Sequence, residues 1–147
     1  MATYVAQGTL NRLKAAVVLP QNSSLNITSA YMGKSFVTVT FDHDFDNLIP
    51  TATGAVTSPE PYVLTTVTIG ILRTQALSGA WLAQAQNLSD IGPVSIFPDT
   101  STSSFPEIDL SGCIIKHIDP GAFDGTDPVV KLTLGGVFYV NNSLWTL

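Results

Sequence analysis

Apolar and polar positions alternate with a period of two through most of the chain, the pattern of half-buried β-strands. Over residues 13–19, Leu13, Ala15, Val17 and Leu19 share one face. Over 35–41, Val37, Val39 and Phe41 alternate with Phe36, Thr38 and Thr40. Over 63–72, Val63, Thr65, Val67, Ile69 and Ile71 form one face, while Thr66, Thr68 and Gly70 point the other way. A short strand is predicted over 94–97. In a longer one, Ile108, Leu110, Ile114 and Ile118 alternate with Asp109, Ser111 and His117. A last strand sets Val130, Leu132, Leu134, Phe138 and Val140 against Lys131, Thr133 and Tyr139, and residues 25–31 offer a seventh. These runs are rich in Val, Ile, Thr and aromatics, which suit a pleated surface.

One stretch breaks the alternation. Residues 74–88 are mostly Ala, Gln, Leu and Trp, good helix formers. Leu77, Trp81, Ala85 and Leu88 recur at helical spacing and predict a helix over about residues 75–88, packed on the sheet through that stripe. Thr74 or Ser78 is placed to cap its start, and the run Asp90, Ile91, Gly92, Pro93 to stop it. Two stretches carry no period: residues 42–61, with Pro50, Gly54, Pro59 and Pro61, and residues 98–106, with a Thr/Ser run. A structureless loop of about twenty residues is uncommon in a small domain and commonly works at a partner surface. The turn chemistry of Asp119-Pro120-Gly121 and of residues 124–128 joins the last two long strands as a hairpin with a wide loop. No repeat and no second core is visible. The expectation is one mainly β domain over residues 1–147, an antiparallel β-barrel or sandwich with one flanking helix and a long loop over about 42–61.

Composition narrows the function. Charged residues make up 12% of the 147 residues, about half the usual share, and 13 Ser and 17 Thr take their place. With 45% apolar residues the chain has ample area to bury, and Glu, Lys and Arg are too scarce for a coiled coil. Six basic against eleven acidic residues give −5, which opposes a grip on nucleic-acid phosphates. Cys113, the single cysteine, permits neither an internal disulfide nor a cysteine-only metal site. Residues 1–19 lack the charged-then-apolar order of a secretory signal, and residues 62–72 are too short to cross a bilayer. The reading is a soluble protein, at first cytoplasmic. The N-x-Ser/Thr triplets at Asn22, Asn26, Asn87 and Asn141 are chance matches in a Ser/Thr-rich chain.

Catalytic signals are weak. Asp42, Asp44 and Asp46 stand at every second position like the opening of a calcium loop. Asn47 then occupies the place of the required Gly and Thr53 that of the bidentate Glu, so the run reads as a solvated strand end. Cys113 and His117 share a strand face but lie about 13 Å apart at 3.3 Å per residue, too far for a nucleophile pair. His43 and His117 are the only histidines, and no nucleophile elbow or phosphate-cradling Gly motif occurs. A ligand role for Asp124 and Asp127 yields to their role in a turn. No enzyme, cofactor or metal is expected.

What remains is surface. Thr-bearing strands with open edges tend to pair with another chain, and a head-to-tail pairing that closes makes a ring. At this point the chain resembles a bacteriophage tail tube protein, the inner tube subunit of contractile-tailed phages. The resemblance is carried by residues 61–99: the strand from Tyr62 to Leu72, Arg73-Thr74-Gln75, the helix from Ala76 to Gln86, and the return through Gly92 to Val94-Ser95-Ile96-Phe97-Pro98-Asp99. The opening strand over 33–41 before a long loop and the closing strand over 131–139 add to it, so the order of elements spans nearly the whole chain.

The resemblance implies homohexameric rings stacked into a hollow tube that carries DNA into the host, with strands merging around the ring into one barrel. It implies a long loop reaching a neighbouring subunit, for which Asp46, Asn47, Leu48, Ile49, Pro50, Pro59 and Tyr62 are the candidates. Implied partners are copies of the chain, a tail sheath, baseplate or initiator and terminator proteins, and DNA that passes without specific binding. The implied location is the virion tail, assembled in the host cytoplasm. Six copies at −5 each give a ring of about −30, which repels phosphates on average. The rival from another class is a sugar-binding β-sandwich of a phage adhesin or receptor-binding protein, with Trp81, Trp145 and the four Tyr as stacking candidates. A small hydrolase is the third.

Overall fold

In a computed structural model, described over residues 2–100 and 105–146, the chain is mainly β with one helix, as the alternation predicts. Six strands form one antiparallel sheet that curls into a half-barrel. They are β1 (Ala16–Val18), β2 (Met32–Phe41), β5 (Tyr62–Leu72), β6 (Asp90–Phe97), β7 (Ile108–Asp119) and β8 (Val129–Tyr139). The spatial order is β1-β6-β7-β8-β5-β2, which leaves β1 and β2 as the edges. The remaining two strands, β3 (Asp46–Pro50) and β4 (Ala55–Pro59), pair only with each other.

The middle of the sheet follows the sequence closely. Along β5 the burial alternates without a break, with Val63, Thr65, Val67, Ile69 and Ile71 turned to the core. Eleven consecutive partners tie β5 to β8, from Tyr62 opposite Tyr139 to Leu72 opposite Val129. Helix α1 (Ala76–Asn87) closes one end of the core through Leu77 and Trp81, which meet Val17, Leu19, Ile27, Ile91 and Leu132 in one apolar cluster. Ala85 packs against that cluster partly buried. Leu88 does not: it is the C-cap residue, past the last helical turn, and stays 58% exposed. Gln75 is the N-cap and makes no side-chain cap bond; Ser78 Oγ instead donates to the Gln75 carbonyl at 2.8 Å, and Thr74 makes no cap.

Other expectations are corrected by local backbone chemistry. The strand over 13–19 contracts to Ala16–Val18, because the Leu13 amide donates to Asn11 Oδ1 and the Lys14 amide to the Asn11 carbonyl, a turn that leaves Leu13 76% exposed. Residues 25–31 form no strand. Two short 3-10 turns, Ser23–Leu25 and Ser29–Tyr31, flank an isolated bridge between Ile27 and Val17, yet Leu25 and Ile27 still reach the core. The run Asp90 to Pro93 does not end the helix but opens β6. Gly92, at φ 74°, absorbs a bulge there, and β1 reaches only as far as Ser95, so Pro93 lies beyond it.

In β7, Gly112 at φ 57° inserts a residue between Ser111 and Ile114 in the ladder with β8. The period shifts by one, so Cys113 and Ile115 face the core while Ile114 is 43% exposed. A second register shift between Ile115 and His117 sets His117 opposite Thr133 and exposed while Cys113 is buried, so the two do not share a face. The wide loop between β7 and β8 has the predicted turn chemistry, with Thr126 donating its amide and hydroxyl to Asp124 Oδ1. The Thr/Ser run of residues 98–106 falls in part, at 101–104, outside the described residues.

Candidate assembly surface

The region expected as a loop over residues 42–61 is a β-hairpin. Its strands run in register from Asp46 opposite Pro59 to Pro50 opposite Ala55. The connection over 51–54 is closed by the Thr51 amide on the Gly54 carbonyl at 2.8 Å and the Gly54 amide on Thr51 Oγ1 at 3.1 Å. The prolines that mimic loop signals stand at strand ends, where no ladder donor is demanded of them. The hairpin is separate from the main sheet, and nearly all of it is exposed. Ile49 and Val56 oppose each other on one face, 50% and 54% exposed, and Leu48 stands on the other face at 74%. Five residues per strand reach about 17 Å, and a two-stranded ribbon alone is marginal in water. It holds here because its base is fixed.

Three rings form that base. Phe41 meets Phe45 edge to face at 5.3 Å between centroids and Phe138 at 4.9 Å, with Phe45 and Phe138 6.5 Å apart. On the other side, Asn141 Nδ2 donates to the carbonyls of Phe45 at 2.9 Å and Glu60 at 2.8 Å. Tyr62, 46% exposed, lies opposite Tyr139, which meets Trp145 edge to face at 6.0 Å. Of the residues expected to touch a neighbour, Asp46, Asn47, Leu48, Ile49 and Pro50 make up β3, Pro59 ends β4, and Tyr62 begins β5 at the foot of the hairpin. Sequence reasoning missed Val56, Phe45, Phe138 and Asn141. The available signal was the alternation of Val56 with Thr57 beyond Gly54, masked by the surrounding prolines.

The second surface is the sheet face turned away from the core. Thr66 and Thr68 of β5 lie opposite Thr40 and Thr38 of β2 on one side, and opposite Gly135 and Thr133 of β8 on the other. This gives a row of short hydroxyl side chains across the central strands. Lys116 Nζ donates to Thr66 Oγ1 at 3.3 Å, the Thr66 hydroxyl donates to the Asp42 carboxylate at 2.9 Å, and Lys131 lies opposite Asp119 in the ladder. A shallow depression floored by Gly112, Gly135 and Gly136 and walled by Leu64, Ile114 and Val137 adjoins that row.

The third surface is an apolar groove of about 440 Å3 between Val37 and Val39 of the edge strand β2 and Ile96 and Phe97 of β6. Burial pushes the Cys113 thiol up to about 11, away from the thiolate a nucleophile needs. Among the described residues no group of His, Cys, Asp and Glu is placed to hold a metal. The Asp124 carboxyl lies below its usual range because Thr126 hydrogen-bonds its charged form, as in an ordinary turn. No helix of the described residues is long and apolar enough to cross a membrane.

No protein-family model matches the chain, and no curated protein sequence matches it. Solved structures do. A chain from the tail of an empty gene transfer agent particle, refined helically with C6 symmetry, aligns at a TM-score of 0.57 and 9% identity, over 88% of this chain and 96% of that one. A chain of the native gene transfer agent virion aligns at 0.57 and 8%, over 86% and 95%. A chain of the anti-feeding prophage tube-terminating cap aligns at 0.50 and 15%, over 95% and 97%. At these identities the likeness is one of fold, and the fold is that of phage-tail-type components.

Proposed function

We propose that this protein is a structural subunit of a phage-type tail, six copies closing into a ring and rings stacking into a hollow inner tube. The observation that carries the reading is the combination of a tail-component fold with a projecting hairpin whose apolar side chains stay half or more exposed. An isolated ribbon with Leu48, Ile49 and Val56 in water is a liability for a monomer and an asset once a second copy covers it. The C6 symmetry of one tail with this fold supports the ring number. The role is structural, with no reaction to catalyse.

In this reading the hydroxyl face of β2, β5 and β8 lines the bore. Lys116 reaches Asp42 only through the Thr66 hydroxyl and Lys131 stands opposite Asp119 in the ladder, so passing DNA meets short polar side chains and few cations, each with a carboxylate nearby. The tube meets a sheath on its outer wall and baseplate or initiator and terminator proteins at its ends. It works in the virion after assembly in the host cytoplasm. The sugar-binding alternative loses Trp81, which is only 1% exposed, and keeps Trp145, 60% exposed and edge to face with Tyr139, as its stacking candidate.

Negative-stain imaging of the concentrated protein, with mass measurement alongside, tests the proposal. Rings or tubes of even bore are expected. A persistent monomer that binds glycans would overturn it in favour of the sugar-binding module.

A further inference from the structure

We infer that Asn141 is a positioning residue: its side-chain amide locks the angle at which the β3–β4 hairpin leaves the sheet, and thereby the register in which one copy meets the next. The inference rests on the reading of the hairpin as an inter-subunit contact. The hairpin meets the body at two chain crossings, one beside Phe45 and one at Glu60. The first crossing is held by the Phe41, Phe45 and Phe138 rings. The second is short of donors, because Pro59 and Pro61 flank Glu60 and carry no amide hydrogen.

The Glu60 amide is spent on the Phe45 carbonyl at 3.0 Å, which leaves the Glu60 carbonyl to be met from elsewhere. Asn141 Nδ2 supplies that donor and at the same time donates to Phe45, so a single amide bridges both crossings from a residue 96 and 81 positions away in sequence. Without it, no hydrogen bond from the body reaches the Phe45 or Glu60 carbonyl among the described residues, and the ribbon can swing on the rings and on the Val140–Pro61 backbone bond beside it.

The backbone at Asn141 is specialised for this task. With a φ of 50° it is the only non-glycine residue among those described in the left-handed region, which Asn tolerates better than most residues. That conformation turns the chain just after β8, whose continuation is tied by the Val140 amide on the Pro61 carbonyl at 3.3 Å. An exposed residue in a costly conformation, making two long-range hydrogen bonds to the base of a projecting element, fits the setting of an angle better than the filling of a core.

The test uses the full chain with Asn141→Gly, which keeps the backbone conformation and removes the amide, and Asn141→Asp, which keeps the shape and replaces the donor with an acceptor. Two readouts are taken: hydrogen exchange of the hairpin amides, and the protein concentration at which rings or tubes appear. Both variants are expected to speed exchange across Asp46–Pro59 by about tenfold, the scale of two lost exposed hydrogen bonds, and to raise the assembly concentration several-fold. Exchange in β5 and β8 should stay unchanged. Unchanged exchange in the hairpin, or assembly at the wild-type concentration, in Asn141→Gly overturns the inference. A parallel Leu48→Asp, Ile49→Asp double variant separates it from the reading it rests on: normal assembly there refutes the hairpin contact itself, whereas failed assembly there with normal assembly of Asn141→Gly refutes only the positioning role.

Discussion

Replacing Ile49 and Val56 by Thr removes the apolar cross-strand pair of the hairpin while keeping β-branched side chains that favour the strand. The two residues are 50% and 54% exposed, so together they leave about one full side chain's worth of apolar surface for a neighbouring copy to cover. At about 2 kcal/mol for burying one such side chain, each contact loses about 2 kcal/mol, or about 30-fold in its dissociation constant. Leu48→Thr probes the opposite face. At 74% exposure it forfeits about 1.5 kcal/mol, or about tenfold, if that face is the covered one. The monomer should barely notice either change, because exposed substitutions stay within about 0.5 kcal/mol and shift Tm by less than about 2 °C. Sedimentation velocity across a concentration series reads the assembly threshold, and thermal melting supplies the control. The variant with the larger shift identifies the covered face. Assembly of both variants at the wild-type threshold would refute the reasoning, since the apolar tip would then contribute nothing.

The remaining predictions concern the body that carries the hairpin. Trp81 is 1% exposed in the core, so Trp81→Ala should cost about 3–5 kcal/mol by chemical denaturation. Its Nε1 is buried and meets no acceptor among the described residues, so Trp81→Phe, which leaves no orphaned N–H, should cost clearly less than Trp81→Ala. Gly112→Ala meets no atom within 4 Å, so its cost should be that of φ 57° alone, about 1–2 kcal/mol, and a neutral result would contradict the bulge. Cys113, with its thiol pushed up from 9.0 to about 11, should resist thiol reagents at pH 8 until the protein unfolds. Because the unfolded thiol ionises first, the corresponding stability is intact below pH 9 and is lost as pH rises toward 11, which a comparison with Cys113→Ala isolates.

The parts legible in the sequence are those where one physical period runs undisturbed. Strand β5 has neighbours on both sides and a buried face from Val63 to Ile71, so its alternation reports its structure directly. Helix α1 was readable from Leu77 and Trp81, although its apolar stripe ends before Leu88. Strand β7 was half legible, because the bulge at Gly112 moves the buried set from Ile114 to Cys113 and Ile115, and no alternation rule foresees an inserted residue. The region over residues 42–61 reads in sequence as a loop, but the prolines that argue for one stand at the ends of two paired strands, so residues 46–50 and Pro59 form a hairpin with Tyr62 at its foot. Its anchoring was invisible, since Asn141 and Phe138 reach the hairpin across some 80 to 96 positions of chain.

The most direct test of the account is a cryo-electron microscopy map of the protein assembled at high concentration. The account predicts six copies per ring, the Thr38, Thr40, Thr66, Thr68 and Thr133 face on the bore, and the hairpin of each copy seated on its neighbour. A protein that stays at 15.6 kDa at millimolar concentration, or a ring whose hairpins point free into solvent, would contradict it.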